Sequence, residues 1–190
     1  MLDNVLLSKH PGRVPGPAEN FVVRPAIPGD ASAIGVVHVR AWQAAYRGVM
    51  PDEYLDSLSA DDRAAMWHDR IARDDLPPVL VAETGGVVVG FAAYGRERPS
   101  PEQCGAGELG AINLDPHHWG KGIGRSLLRE VMVALSSLGY REAILWVAPE
   151  NMRARSLYER EGWRDDGAVG TAEVLGVTVT EMRYRTQLHG

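Results

Sequence analysis

Three glycines at alternate positions are the most chemically informative feature of the sequence. Gly120, Gly122 and Gly124 stand between an apolar segment that ends at Leu114 and a helical pattern that begins at Ile123. Glycine lets the backbone approach a ligand closely, and the first amides of a helix attract anions. The spacing therefore predicts a phosphate-binding turn, here called the glycine turn (residues 119–124). A tight turn that binds nothing is the alternative.

Two well-known phosphate loops do not fit the glycine turn. A P-loop needs a Gly-Lys pair followed by serine or threonine, whereas Gly120 and Lys121 are followed by Gly122. A dinucleotide fingerprint, G-x-G-x-x-G, would need a further glycine at the position of Arg125 or Leu127. Both patterns are therefore excluded, and the predicted anion site must be of another kind.

A second set of residues shares one face of a later helix. Asn151, Ala154, Leu157 and Tyr158 are offset by zero, three, six and seven positions, which places them on or beside one helical face. Residues 161–163, Glu-Gly-Trp, then turn the chain into a strand.

Together these two segments resemble the GNAT superfamily of acyl-CoA-dependent N-acyltransferases. The cofactor motif of that family, Arg/Gln-x-x-Gly-x-Gly/Ala, corresponds to residues 119–124, with Trp119 in place of the usual arginine or glutamine. Its second signature, Asn-x-x-Ala-x-x-x-Tyr followed by glycine and an aromatic residue, corresponds to residues 151–158 and to Gly162 and Trp163. The resemblance covers roughly residues 21–184.

The resemblance implies an enzyme that uses acetyl-CoA and no metal. In this family two central parallel strands, here expected at residues 108–114 and 143–147, splay apart to admit the thioester arm. The Leu114 N–H is then expected to stabilise the oxyanion of a tetrahedral intermediate. Lys121 and Arg125 would supply the charge that Trp119 lacks. The cofactor contacts implied by the resemblance are Leu114, Trp119, Gly120, Lys121, Gly122, Ile123, Gly124, Arg125, Ser126 and Asn151.

The resemblance also implies that a neutral amine attacks the thioester directly, in a ternary complex. Tyr158 matches the usual proton donor to the leaving thiolate, and Glu108 matches a strand position from which many members place a base, often acting through water. Strand alternation is expected to put Glu108 on the same face as Leu114. A tyrosine that only packs in the core and a solvated strand glutamate are the alternatives.

Three further residues are expected near the amine acceptor. Trp42 and Tyr46 are one helical turn apart and can share a face, although simple core packing would explain them equally well. Glu181 is a third candidate. Because Trp42, residues 46–48 and Glu108 are similar to a bacterial branch whose acceptors are often unassigned, the acceptor is expected only to be a primary amine of a small molecule or peptide.

Two other functions stay open on the sequence. One is a non-catalytic acyl-CoA-binding sensor on the same fold, and the other is a transferase of a longer acyl group. Glu108 and Tyr158 favour catalysis, because a binding module needs neither, while acetyl as the group transferred rests on family frequency. The resemblance also allows a homodimer, since similar proteins are often dimers.

Other reactive side chains point less clearly to a function. His117 and His118 are adjacent, so they point in different directions, and no third ligand stands at helical spacing. An exposed pair is therefore favoured over a metal site. Cys104 has no catalytic-cysteine signature around it. It is the single cysteine of the sequence, so no intrachain disulfide can form and a reducing compartment is expected.

The elements that must hold these residues follow a mixed α/β order. Helices are predicted to begin at Asp30, at Ser59, at the glycine turn and at Asn151. The resemblance narrows this order to a mixed, mostly antiparallel sheet with two splayed central parallel strands and flanking helices. A hairpin is predicted at Gly85-Gly86. The predicted strands cover residues 21–24, 79–82, 87–94, 108–114, 143–147 and 174–184.

Length and composition bound the class of protein. The 190 residues fit one domain, expected at residues 21–190 behind a flexible leader rich in proline and glycine at residues 1–20. A net charge of −5 argues against a general nucleic-acid binder. No apolar stretch approaches the roughly 20 residues that span a bilayer, and no signal-peptide pattern opens the chain. A cytoplasmic protein without nucleic-acid or membrane partners is therefore expected.

Overall fold

The structure is a computed structural model that describes residues 20–99, 104–174 and 177–188. Two single 3₁₀ turns, Pro28–Asp30 and Pro116–His118, accompany the regular elements. In chain order these are β1 (Phe21–Pro25), α1 (Ala31–Tyr46), α2 (Asp52–Asp56), α3 (Ala60–Ile71), β2 (Val79–Thr84), β3 (Val87–Arg96), β4 (Gly107–Leu114), α4 (Ile123–Ser137), β5 (Glu142–Val147), α5 (Met152–Arg160), β6 (Arg164–Val174) and β7 (Val177–Gln187).

The strands form one seven-stranded sheet in the order β1-β2-β3-β4-β5-β7-β6. Every neighbouring pair is antiparallel except β4 and β5, which are parallel and are joined through α4. The predicted mixed, mostly antiparallel sheet with a central parallel pair is therefore confirmed.

The two faces of the sheet carry separate cores. The first core lies under α4, whose buried residues recur at helical spacing and include Ile123, Leu127 and Val131. The second core lies under α1 and α3, where Ile34 and Trp67 pack against Phe91 of β3. Strands that are covered on both faces become apolar throughout, as in β3, where eight consecutive residues are buried.

Local sequence signals set most element boundaries. The Ser59 side chain accepts a hydrogen bond from the Asp62 N–H at the start of α3, and Asn151 accepts one from the Ala154 N–H at the start of α5, so both are N-caps. Asp30 precedes α1 as predicted, but its carboxylate bonds back to Ile27 and Arg24 instead of capping the helix.

The predicted hairpin is confirmed between β2 and β3, where Gly85 and Gly86 have φ of 57° and 80°. The C-terminal strand prediction, residues 174–184, was wrong in its bounds: β6 and β7 pair as a hairpin across that stretch. Most described side chains of β6 are exposed, so the hydrophobic alternation that marks a half-buried strand is weak there.

Pro51 stands directly before the short helix α2, as its N-cap residue, with φ of −55°. The predicted leader lies almost entirely outside the described residues, which begin at residue 20.

Candidate active site

The two central parallel strands are paired over only three positions. Gly107, Glu108 and Leu109 of β4 lie beside residues 143–145 of β5. Beyond that point β4 and β5 have no pairing between them, although both strands continue. Their carboxyl ends therefore leave a gap in the middle of the sheet, where open α/β sheets generally bind ligands.

A β-bulge at Gly110 accompanies the start of this gap. On β3, Ala93 pairs with Ala111 and the next residue, Tyr94, pairs with Leu109, so Gly110 has no partner. An extra residue of this kind bends a strand and reverses its alternation. Leu109 and Tyr94 consequently both belong to the core under α4.

The bulge corrects one prediction about the catalytic face. Leu109 and Leu114 both contribute to the core under α4, while Ala111 packs against the core under α1 and α3. Glu108, next to Leu109, therefore points to the α1 side, opposite to Leu114. The expectation that Glu108 and Leu114 share a face was wrong, because simple alternation ignores the inserted residue.

The backbone at the end of β4 points a donor into the gap. The Asp115 N–H donates to the Val89 carbonyl of β3 at 2.8 Å. Successive N–H groups of a strand point to opposite sides in the plane of the sheet. The Leu114 N–H is therefore directed away from β3, towards the side where β5 diverges.

The glycine turn leaves its backbone open. Gly120 and Gly122 have φ of 77° and 87°, which favours glycine. A Cβ added at either position would meet no heavy atom within 4 Å, and one at Gly124 would touch only Leu157, at 3.6 Å. Gly122 is the residue that precedes α4. A phosphate group could thus approach the helix amides without meeting side chains, which fits a nucleotide cofactor.

The positive charge expected from Arg125 is already compensated. Arg125 and Arg129 donate to the two oxygens of Glu161, the latter at 2.7 Å. Burial would raise the pKa of Glu161, but the hydrogen bonds from the two arginines outweigh it and lower that pKa. Sequence reasoning missed this pair because residue 161 is 36 positions from Arg125.

Tyr158 lies inside the protein, between aromatic rings. The Tyr158 residue is 5% exposed, and its ring centroid is 6.3 Å from that of Trp163 and 6.2 Å from that of Tyr184. Burial, and to a lesser degree the nearby Tyr46, raises the pKa of Tyr158 well above its ordinary value. The phenol therefore stays neutral and keeps its hydroxyl proton.

Tyr46 connects several of the predicted residues. Burial raises the pKa of Tyr46, the Asn151 side chain beside it opposes that shift, and the charge of Glu181 adds to it. Tyr46 also stacks on Trp42, with 5.2 Å between ring centroids. The structure thus brings together five residues that the sequence placed in separate segments: Trp42, Tyr46, Asn151, Tyr158 and Glu181.

Glu108 belongs to what we call the carboxylate cluster, which consists of Glu108, Arg98 and Glu181. The Arg98 backbone N–H donates to Glu108 Oε2 at 2.6 Å, and its guanidinium donates to Glu181 Oε2 at 2.6 Å. Burial raises the pKa of Glu108, although the hydrogen bond and charge of Arg98 oppose that rise. Nothing in the local sequence distinguishes Arg98, which was not predicted.

The Trp146 ring packs against the carboxylate cluster through Arg98. Its ring centroid lies 5.1 Å from the guanidinium carbon of Arg98 and 5.6 Å from that of Arg183. A Cβ at Gly170 of β6 would stand only 2.8 Å from this ring. The lack of a side chain at Gly170 therefore leaves room for the indole, which the sequence did not reveal.

Trp119 is anchored at the end of β4. Its indole N–H donates to the Leu114 carbonyl at 2.9 Å, and the Arg153 guanidinium carbon lies 4.2 Å from its ring centroid. Trp119 thus replaces the arginine or glutamine of the family motif with an aromatic ring that connects β4 to α5.

The two histidines were expected to form an exposed pair, but His118 is half-buried, with its Nδ1 4.0 Å from Asp115 Oδ1. His117 is exposed and contacts Asp115, which also pairs with Arg40. Cys104 is exposed, with its sulfur 3.6 Å from Glu97 Oε1. Within residues 20–99, 104–174 and 177–188, no group of three or more potential ligands could hold a metal ion. None of the described helices is long and apolar enough to cross a membrane.

Comparison with known proteins agrees with this arrangement. Residues 39–163 match the family described as Acetyltransferase (GNAT) family. The probable N-acetyltransferase Rv2775 of Mycobacterium tuberculosis is 27% identical over 171 residues, which cover 87% of this chain and 93% of that protein. The uncharacterized N-acetyltransferase YuaI of Bacillus subtilis is 35% identical over 130 residues, which cover 68% of this chain and 72% of that protein.

A solved structure shares the fold. The PaiA N-acetyltransferase of Thermoplasma acidophilum, in complex with coenzyme A, superposes with a TM-score of 0.70 and 20% identity. The superposition covers 88% of this chain and 99% of that chain.

Proposed function

We propose that this chain, which belongs to the GNAT acetyltransferase family, transfers an acetyl group from acetyl-CoA to a primary amine of a small molecule or peptide in a ternary complex. The observation that carries the proposal is the gap between β4 and β5. The open glycine turn lies beyond the end of β4, and the buried carboxylate of Glu108 lies where the gap begins.

Bound acetyl-CoA would supply an activated acyl group in the form of a thioester. The residues proposed to hold it are those of the glycine turn with Leu114, Arg125, Ser126 and Asn151. Amides at a helix N-terminus favour phosphate oxygens, and the Leu114 N–H faces the gap. A preorganised donor of this kind stabilises negative charge that develops on a carbonyl oxygen.

Glu108 is proposed as the base. An alkylamine with a pKa of about 10 is mostly protonated at neutral pH, so a proton must be removed before or after attack. Because burial raises the pKa of Glu108, its carboxylate is a stronger base than an exposed glutamate. The Arg98 backbone N–H donates to Oε2, and the Arg98 guanidinium lies 3.7 Å from Oε1 without a hydrogen bond to it. Oε1 is therefore the atom proposed to accept the proton, directly or through water.

Tyr158 is proposed as the donor to the leaving sulfur. Its raised pKa keeps the phenol protonated, so the hydroxyl can donate a hydrogen bond to a developing thiolate. Trp42, Tyr46 and Glu181 are proposed to line the acceptor side, since Tyr46 lies close to both Tyr158 and Glu181.

The proposal is tested by measuring thiol release from acetyl-CoA with polyamines, amino acids, aminoglycosides and peptides. Acetylation of one acceptor class supports it, and faster turnover with propionyl- or butyryl-CoA would identify a longer acyl group instead. Binding of CoA without turnover of any amine would favour the sensor alternative. A protein that does not bind CoA would overturn the proposal.

Direct transfer is tested separately at Cys104. Since no acyl-enzyme is expected, Cys104→Ala should keep most of the wild-type turnover, measured in the same thiol-release assay. A loss of about a hundredfold, together with an acetylated Cys104 in intact-mass spectra, would contradict direct attack.

A further inference from the structure

Trp119 leaves the glycine turn without the arginine or glutamine side chain of the family motif. Its indole N–H is used by the Leu114 carbonyl, and its backbone N–H donates to the Pro116 carbonyl at 3.2 Å. Trp119 therefore has no donor left for a ligand. A side-chain contact to an anion at position 119 must therefore come from another residue.

Arg153 of α5 stands on the Trp119 ring. The 4.2 Å between its guanidinium carbon and the ring centroid is the shortest cation–π distance among the described residues. Tryptophan is the best aromatic partner for a cation, and stacking by a planar guanidinium leaves its N–H groups directed outwards in the plane. The ring thus holds a positive fork next to the glycine turn.

The position of Arg153 is not explained by the stability of its own helix. Arg153 lies in the first turn of α5, where no acidic residue is present. A cation there is opposed by the helix dipole. Arg153 is exposed, and it makes no hydrogen bond or ion pair with any described residue.

The other arginines near the glycine turn differ in this respect. Arg125 and Arg129 of α4 both share the Glu161 carboxylate, so their charge is partly neutralised. Of these three arginines, Arg153 alone keeps an uncompensated charge. Its guanidinium lies over the ring of Trp119, the first residue of the glycine turn.

We propose that Arg153, held on the Trp119 ring, binds a phosphate group of CoA and takes over the role of the missing arginine or glutamine at position 119. The inference rests on the proposed function, because it assigns a further residue to the same cofactor site. The 3′-phosphate and the pyrophosphate offer the same oxyanion chemistry, and the experiment separates them.

The experiment is calorimetric titration of CoA into wild type, Arg153→Ala and Arg153→Lys, with Arg160→Ala as the matched control on the same helix. Arg160 is exposed and lies two turns further along α5. Arg153→Ala should weaken CoA binding by about tenfold or more, as expected when a charge-assisted hydrogen bond is lost. The loss should shrink at high salt. The CoA affinity of Arg153→Lys should lie between those of wild type and Arg153→Ala. The CoA affinity of Arg160→Ala should match that of wild type.

The same titrations with 3′-dephospho-CoA identify the phosphate. If the penalty of Arg153→Ala disappears with this ligand, Arg153 binds the 3′-phosphate, and if it persists, Arg153 binds the pyrophosphate. A wild-type affinity for CoA in a folded Arg153→Ala protein, or an equal loss in Arg160→Ala, would overturn the inference alone. A wild-type protein that does not bind CoA would overturn the proposed function with it.

Discussion

The glycine turn and the carboxylate cluster lie at the same gap but are built differently. The glycine turn is one short segment of six residues that exposes its backbone. The carboxylate cluster joins side chains from three segments, since Arg98 bonds to Glu108 ten positions away and to Glu181 83 positions away. A site made of backbone amides can be encoded locally, whereas a site made of side chains depends on the register of the strands.

This difference predicts that changes in the two regions affect different measurements. Variants at the glycine turn should alter the affinity for CoA and leave the pH dependence of turnover unchanged. Variants in the carboxylate cluster should alter turnover and its pH dependence at nearly constant CoA affinity. Tyr158 belongs to neither region, and its replacement should show the largest effect of all.

Tyr158→Phe should lower turnover on the order of 10- to 1000-fold with nearly unchanged CoA affinity, because only the hydroxyl interaction formed during reaction is lost. Steady-state rates and CoA titration check the two halves of this expectation. Since the phenyl ring keeps its packing against Trp163 and Tyr184, a large loss of thermal stability is not expected. Wild-type turnover would assign Tyr158 to core packing.

Glu108→Gln should lower turnover by about 10- to 100-fold near neutral pH, since the variant keeps the shape and loses the base. The raised pKa of Glu108 means that the wild-type carboxylate gains its proton, and loses activity, at a higher pH than an exposed glutamate would. The deficit of the variant should shrink at high pH, where more of the amine is already neutral. The pH–rate profiles of both proteins measure this, and profiles with the same acidic limb would shift attention to Glu181.

Gly124→Val should weaken CoA binding by about tenfold or more, because the added methyl groups block the approach to the helix amides. Gly124 is a better site for this test than Gly122, whose φ of 87° would strain any side chain. Gly29→Val, at an open position away from the gap, is the control. Unchanged CoA affinity in a folded Gly124→Val protein would show that the glycine turn does not bind the cofactor.

Arg98→Ala should have the smallest effect on turnover of these variants, and it should alter the pH dependence of turnover. The backbone hydrogen bond to Glu108 remains, but the positive charge that lowers the Glu108 pKa is lost, and Glu97 and Glu181 keep raising it. The pKa of Glu108 should therefore rise further, and the acidic limb should move to higher pH. We expect turnover to fall by about threefold to tenfold on the acidic limb of the pH–rate profile and to change little at high pH. An acidic limb that stays in place would show that Arg98 does not act on Glu108.

The sequence by itself determined the features that depend on neighbouring residues. The glycine turn, the caps at Ser59 and Asn151 and the hairpin at Gly85-Gly86 each follow from a few adjacent residues whose backbone preferences agree. Two motifs at the right separation also identified the family, which the comparisons confirm.

Only the tertiary structure decided the rest. The bulge at Gly110 turns Glu108 to the α1 side of the sheet, and no local pattern announces it, because one inserted residue changes the face of everything beyond it. The pairing of Arg125 with Glu161 and of Arg98 with Glu181 joins residues distant in sequence. The packing of whole elements determines which of these charges are paired, and therefore which arginines remain available to a ligand.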